Sequence, residues 1–144
     1  MSRRVRPKRS DSFESEVRRQ FGILAVGWEL EGPIEGRVVL PTVNYRAGRL
    51  TYTWMFDNED RRLVLSVALS VAGGRRSGFL DDLVAGAGLG APQDVRTSAQ
   101  TWHSLQQSIA SHIGWLRRLH PLLAGPDAEV FLERAGARLV PRDG

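Results

Sequence analysis

Histidines, paired carboxylates and clustered arginines are the residues here whose chemistry reaches beyond packing. His103, His112 and His120 fall on one stretch of helical periodicity. At ~100° per residue, His103 and His112 lie ~180° apart and His112 and His120 ~80° apart. Neither spacing sets two imidazoles on one metal ion, and no HExxH sequence occurs. All three read as surface or helix-capping residues, with His120 placed to favour the dipole at a helix end. Asp81-Asp82 and Glu59-Asp60 are adjacent acids, and Glu29, Glu31 and Glu35 cluster near a turn. Neighbouring helical positions diverge by ~100°, so Asp81 and Asp82 are not expected to share one site. No serine has a nucleophile-elbow context, and no acid–base set assembles. Cysteine is absent, which removes thiolate catalysis, disulfides and Cys-ligated metals. The expectation is a protein that is not an enzyme, with no catalytic residue, cofactor or metal.

Phosphate chemistry has three candidates. Gly86-Ala87-Gly88-Leu89-Gly90-Ala91 matches the string G-x-G-x-x-G/A. That fingerprint works where it follows a strand and opens a helix, and here it follows a helical segment, so it reads as an inter-helix loop. Arg75-Arg76 sits in Gly73–Gly78, read as a flexible basic loop that would meet phosphate or a protein partner. The third is the N-terminus, where Arg3, Arg4, Arg6, Lys8 and Arg9 occur with no acid among the first nine residues. The net charge of +4 comes from 20 basic and 16 acidic residues; without those five cations, 15 basic face 16 acidic. A basic arm is thus joined to a nearly neutral domain. Such an arm would release counterions from a nucleic acid, giving salt-dependent and sequence-independent affinity.

The elements that must position these groups follow from periodicity. Residues 1–10 are charged, carry Pro7 and lack apolar spacing, so a disordered tail is expected, with one domain over 11–144. Phe13, Val17 and Phe21 line one face of a short helix opened by an Asp11–Glu14 capping box and stopped at Gly22. Four strands are expected next: Ile23–Leu30, Arg37–Tyr45, Arg49–Asp57 and Leu63–Val71. Tyr52, Trp54 and Phe56 form an aromatic row that reads as sheet core rather than a base-stacking platform. Short turns make the sheet an antiparallel meander. Phe79–Val84 is a short helix, and a long one runs from about Thr97 to Leu119, ended or kinked by Pro121. Pro126-Asp127 opens a last helix. The fold class is α+β: a four-stranded antiparallel meander packed against an N-terminal helix and C-terminal helices.

No membrane span is expected, because Leu63–Ala72 is interrupted by serines and far short of ~20 apolar residues. Ser2-Arg3-Arg4 opens like a twin-arginine signal, but Asp11-Ser12-Phe13-Glu14 stands where an apolar core should follow, so a cytoplasmic protein is expected.

Three segments carry a family likeness: Phe13…Gln20-Phe21-Gly22 before the sheet, the hairpin Val43-Asn44-Tyr45-Arg46-Ala47-Gly48-Arg49-Leu50-Thr51-Tyr52, and the ending Leu116…Pro121-Leu122-Leu123-Ala124-Gly125-Pro126-Asp127. Together they resemble small bacterial α+β proteins, some of which resemble immunity proteins of polymorphic toxin systems. Pro126 stands between the glycine and aspartate of that ending. The resemblance implies a module that binds a protein partner stoichiometrically, as an immunity or adaptor protein does, and carries over no catalytic residues. The alternative is a nucleic-acid-associated protein using the tail and Arg75-Arg76. Oligomeric state is not legible at this level.

Overall fold

Strict alternation organises the centre of the molecule. Leu50, Tyr52, Trp54 and Phe56 on one strand, and Leu63, Leu65, Val67, Leu69 and Val71 on the next, are all buried, while the residues between them are not. In the computed structural model, which describes residues 9–35 and 41–141, these strands are β3 (Leu50–Asp57) and β4 (Arg62–Val71). They pair antiparallel from Leu50↔Leu69 to Asp57↔Arg62. Around them lie β1 (Glu31–Glu35), β2 (Thr42–Ala47), β5 (Gly74–Phe79) and β6 (Arg138–Pro141), in spatial order β1 to β6 with every neighbour antiparallel.

The helices are α1 (Arg9–Gly27), α2 (Leu80–Gly86), α3 (Trp102–Leu123) and α4 (Ala128–Arg134). They cover the buried face of the sheet, and the core lies between these two layers. Phe13, Val17, Phe21 and Ala25 of α1 recur every four residues and are buried. Phe21 reaches furthest in, with its ring centroid 5.0 Å from Tyr45, 5.3 Å from Trp54 and 6.3 Å from Tyr52. Thr101 caps α3, its hydroxyl accepting from the Ser104 N–H at 3.0 Å.

The α+β class and the antiparallel meander hold, but the sheet has six strands rather than four. Ile23–Leu30 is mostly the end of α1 instead of a strand. Its four-residue apolar run has no decisive period, and continuing the helix through Gly22 turns Ala25 inward while Ile23 and Val26 stay 84% and 79% exposed. Asp11 therefore sits inside α1 rather than capping it. In the second expected strand, 36–40 lies outside the described residues and β2 begins after Pro41. Gly73–Gly78 is no loop: Gly74–Phe79 forms β5, between β4 and β6. β5 carries no apolar alternation because backbone pairing places it. A Cβ on Gly74 would run into the Val140 carbonyl oxygen, so the glycine admits β6. Pro121 lies in the last turn of α3, which continues to Leu123.

Replacing Phe21 by alanine opens a cavity at the centre of this aromatic packing. We expect a loss of about 3–5 kcal/mol in urea unfolding, against less than about 0.5 kcal/mol for Ile23→Ser on the outer side of α1. Equal losses would mean that the helix faces the other way.

Candidate functional site

Because the helices cover only one side, the other side of the sheet is left open among the described residues, and its composition follows from strand parity. The registers align Asn44, Thr53, Ser66 and Phe79 across four strands, and Arg46, Thr51, Ala68, Ser77 and Arg138 across five. Ser70 and Arg75 add a further row. Thr51, Thr53, Ser66, Ala68 and Ser77 form the small, mostly hydroxylated floor of a trough of about 480 Å³, and Arg46, Phe79 and Arg138 flank it on the same face. The Thr53 hydroxyl donates to Asn44 Oδ1 at 2.7 Å. One end of the face is cationic. Arg46, Arg75 and Arg138 project there, and Arg49 on the adjoining turn donates to the Ser70 carbonyl at 3.2 Å. Arg46 approaches Glu31 at 3.7 Å, and Arg75 and Arg138 have no ion pair among the described residues. The opposite end presents Met55, Val64 and the half-exposed Phe79.

The structure separates Arg75 from Arg76. Consecutive strand residues point to opposite faces, so Arg75 enters the open trough and Arg76 turns toward α4. There Arg76 donates to the Ala137 carbonyl at 3.4 Å and lies 4.0 Å from Glu133. The two arginines do not form one phosphate site. Arg3, Arg4, Arg6 and Lys8 lie outside the described residues; Arg9 is the first residue of α1, so Arg9 and Ser10 belong to the helix rather than to the tail. Tyr52, Trp54 and Phe56 are sheet core, each at most 1% exposed. Strand parity was the signal that could have found Arg46 and Arg138, once β6 was known to pair beside β5.

Two histidines are interior groups instead of the expected surface residues. His112 is 2% exposed, and its Nδ1–H donates to the Ser108 carbonyl at 2.7 Å. Burial pushes its pKa down from 6.5 to about 4, against smaller opposing effects of that hydrogen bond and of the Asp81 charge. His120 stacks on Trp28, with centroids 3.9 Å apart and planes within 6°, and its Nδ1 is 2.6 Å from the Tyr52 hydroxyl. Burial lowers the His120 pKa and raises that of Tyr52, so the tyrosine stays protonated and can donate to the ring. Only His103 is exposed. At the α1–α3 contact, burial alone would raise the pKa of Glu16. Hydrogen bonds from Arg19, Gln20 and Gln106 outweigh it and hold the carboxyl below the usual range.

Asp81 and Asp82 both border one cleft, with Arg62 and His112. The ~100° between them still lets both flank a cleft mouth from the first turn of α2. Gly86 ends α2 at a close contact, where a Cβ would meet the Ala135 carbonyl oxygen, and a short 3₁₀ turn, Pro92–Asp94, follows. Among the described residues, no group of three or more His, Cys, Asp or Glu could hold a metal ion, and no helix is long and apolar enough to cross a membrane.

No protein-family model, curated protein or solved structure matches this chain.

The buried imidazoles make folding sensitive to acid. Below pH 6.5 the unfolded chain takes up protons that native His112 and His120 resist, so stability is complete above 6.5 and falls as pH drops toward 4. For His112 the full window is worth about 3 kcal/mol. Glu16 adds a loss only as pH falls below 4.5. Urea unfolding followed between about pH 7 and pH 4.5 should show this slope, and His112→Gln should flatten it.

Proposed function

We propose that the chain is a non-enzymatic protein-interaction module that acts stoichiometrically, as an immunity or adaptor protein does. It lays the open face of its sheet against an extended acidic segment of a partner protein. The observation that supports this reading is the face itself: four strands line a trough, with β6 beside it, that none of the helices covers. Small hydroxylated floor residues let a backbone approach closely and offer it hydrogen-bond partners. Arginines at one end call for carboxylates, which planar guanidinium groups bind in bidentate geometry. Met55, Val64 and Phe79 at the other end favour an apolar residue further along the same segment. Charge complementarity thus sets both the partner's sign and its direction along the trough.

The alternative, a nucleic-acid-associated protein, has less to draw on. Single strands are held by basic grooves with exposed aromatic rings, and Tyr52, Trp54 and Phe56 are turned into the core. The N-terminal cations Arg3, Arg4, Arg6 and Lys8 could still contribute nonspecific attraction.

Co-purification from the native host, repeated with surface variants, tests the reading. A protein captured by the wild type should be lost, with affinity at least ~10-fold weaker, in Arg75→Glu/Arg138→Glu. It should be retained by Arg117→Glu on the exposed side of α3. Cross-links from position 75 should map to an acid-rich stretch of that protein. Capture indifferent to the charge reversal would sink the proposal. Steeply salt-dependent RNA or DNA binding lost in the same double variant would replace it with the nucleic-acid reading.

A further inference from the structure

The cleft bordered by Asp81 and Asp82 has a specific origin. β5 leaves β4 after the Ser66↔Phe79 pair, while the segment before α3 rejoins β4 at Arg62↔Ser98. There the Leu63 N–H donates to the Thr97 carbonyl at 2.7 Å. Between these two pairings the edge of β4 has no neighbouring strand, and a cleft of about 390 Å³ opens through the sheet layer toward α3. That volume lies within the range of small-ligand sites.

Its lining is chemically divided. Arg62 lines it from the start of β4 and Asp81 and Asp82 from the first turn of α2, yet no ion pair joins them among the described residues. Opposite charges that face one cleft without meeting leave room for a ligand carrying both signs. The imidazole of His112 borders the same space. Its Nδ1–H is committed to the Ser108 carbonyl, so the lone pair resides on Nε2, which has no hydrogen-bond partner among the described residues. The ring is buried, but Nε2 remains accessible from the cleft, where a ligand's donor can reach it. Asp81 lines the same cleft, so a lone pair and a carboxylate both border it. Both are acceptors, and an ammonium group, with three donors, suits them. Arg62 suits a carboxylate. Val64 and the half-exposed Phe79 supply an apolar border.

We infer that this cleft binds a free α-amino acid with an apolar side chain, its ammonium between Asp81 and His112 and its carboxylate on Arg62. The site lies at the far end of β4 from the arginine row and shares Val64 and Phe79 with the apolar end of the open face; its charged groups are separate, and it stands whether or not that face binds a protein.

Calorimetric titration of the full chain with L-leucine tests the assignment, alongside leucinamide, which lacks the carboxylate, and 4-methylpentanoate, which lacks the ammonium. Leucine should bind saturably in the millimolar range or tighter, and each analogue ~10-fold more weakly or worse. Arg62→Gln should weaken leucine while leaving leucinamide unchanged, and Asp81→Asn should weaken leucine and leucinamide but not 4-methylpentanoate. The ¹⁵N resonance of His112 Nε2 should move upfield as leucine is added, because its lone pair gains a donor. The analogue series on the wild type needs no variant to fold. No saturable leucine binding, equal binding of all three compounds, or an unmoved Nε2 resonance would each overturn the inference.

Discussion

The structure depends on one constraint, the two-residue period of β3. Turning Tyr52, Trp54 and Phe56 to one side obliges Thr51, Thr53 and Met55 to face the other. The three rings, each able to bury ~150–250 Å², must be covered, and Phe21 of α1 packs among them. Once α1 and α3 lie on that side, the cross-strand neighbours of Thr51 and Thr53 are committed to the open side. A slip of one residue would drive the aromatic rings into solvent and the hydroxyls into the core. Core and trough are therefore two consequences of the same register.

Polar groups inside the core reinforce that geometry. His120 joins α3 to β3 through Tyr52 and to the end of α1 through Trp28. Glu16 receives Gln20 and Gln106, and the Gln20 amide also donates to the Gln106 carbonyl at 3.0 Å, which sets α1 against α3. Apolar contacts tolerate sliding, whereas hydrogen bonds between buried groups permit few alternatives. The indole N–H of Trp54 and the hydroxyl of Tyr45 are buried without partners among the described residues. Burying the large rings there outweighs two missing hydrogen bonds, each costing about 1–3 kcal/mol.

What the sequence displayed depended on how each element is stabilised. β3 and β4 place apolar side chains at every second position, so they are legible, as is α3 from Leu105, Ile109, Ile113 and Leu116. β5 and β6 are stabilised by backbone pairing, and Gly-Arg-Arg-Ser-Gly-Phe gives no period to read. The helical state of Ile23–Gly27 rests on tertiary contact, since Leu24 and Ala25 meet the core while Ile23 and Val26 do not. The histidines were misplaced for a related reason. Helical spacing gives their angles to one another but not which angle faces the sheet, and for His112 and His120 that is decided by Trp54, Tyr52 and Trp28.

The arginines show how far charge can be interpreted before the topology is known. As neighbours in sequence, Arg75 and Arg76 resemble one basic feature, and as strand residues they serve opposite faces. Arg76 is half-buried, its Nε without a partner and its guanidinium beside Glu133, a place that anchors α4 to β5. Arg75 instead joins Arg46, Arg49 and Arg138, drawn from the β2–β3 hairpin and from the last strand. None of these four is adjacent to another in the chain. Their shared face is a product of the meander, which sets Arg46 and Arg138 at the two ends of one cross-strand row and Arg75 and Arg49 beside it near the β4–β5 and β2–β3 turns. A nearly neutral domain can thus carry a local cationic field without any basic run in its sequence, because strand pairing, rather than composition, decides where its charges accumulate.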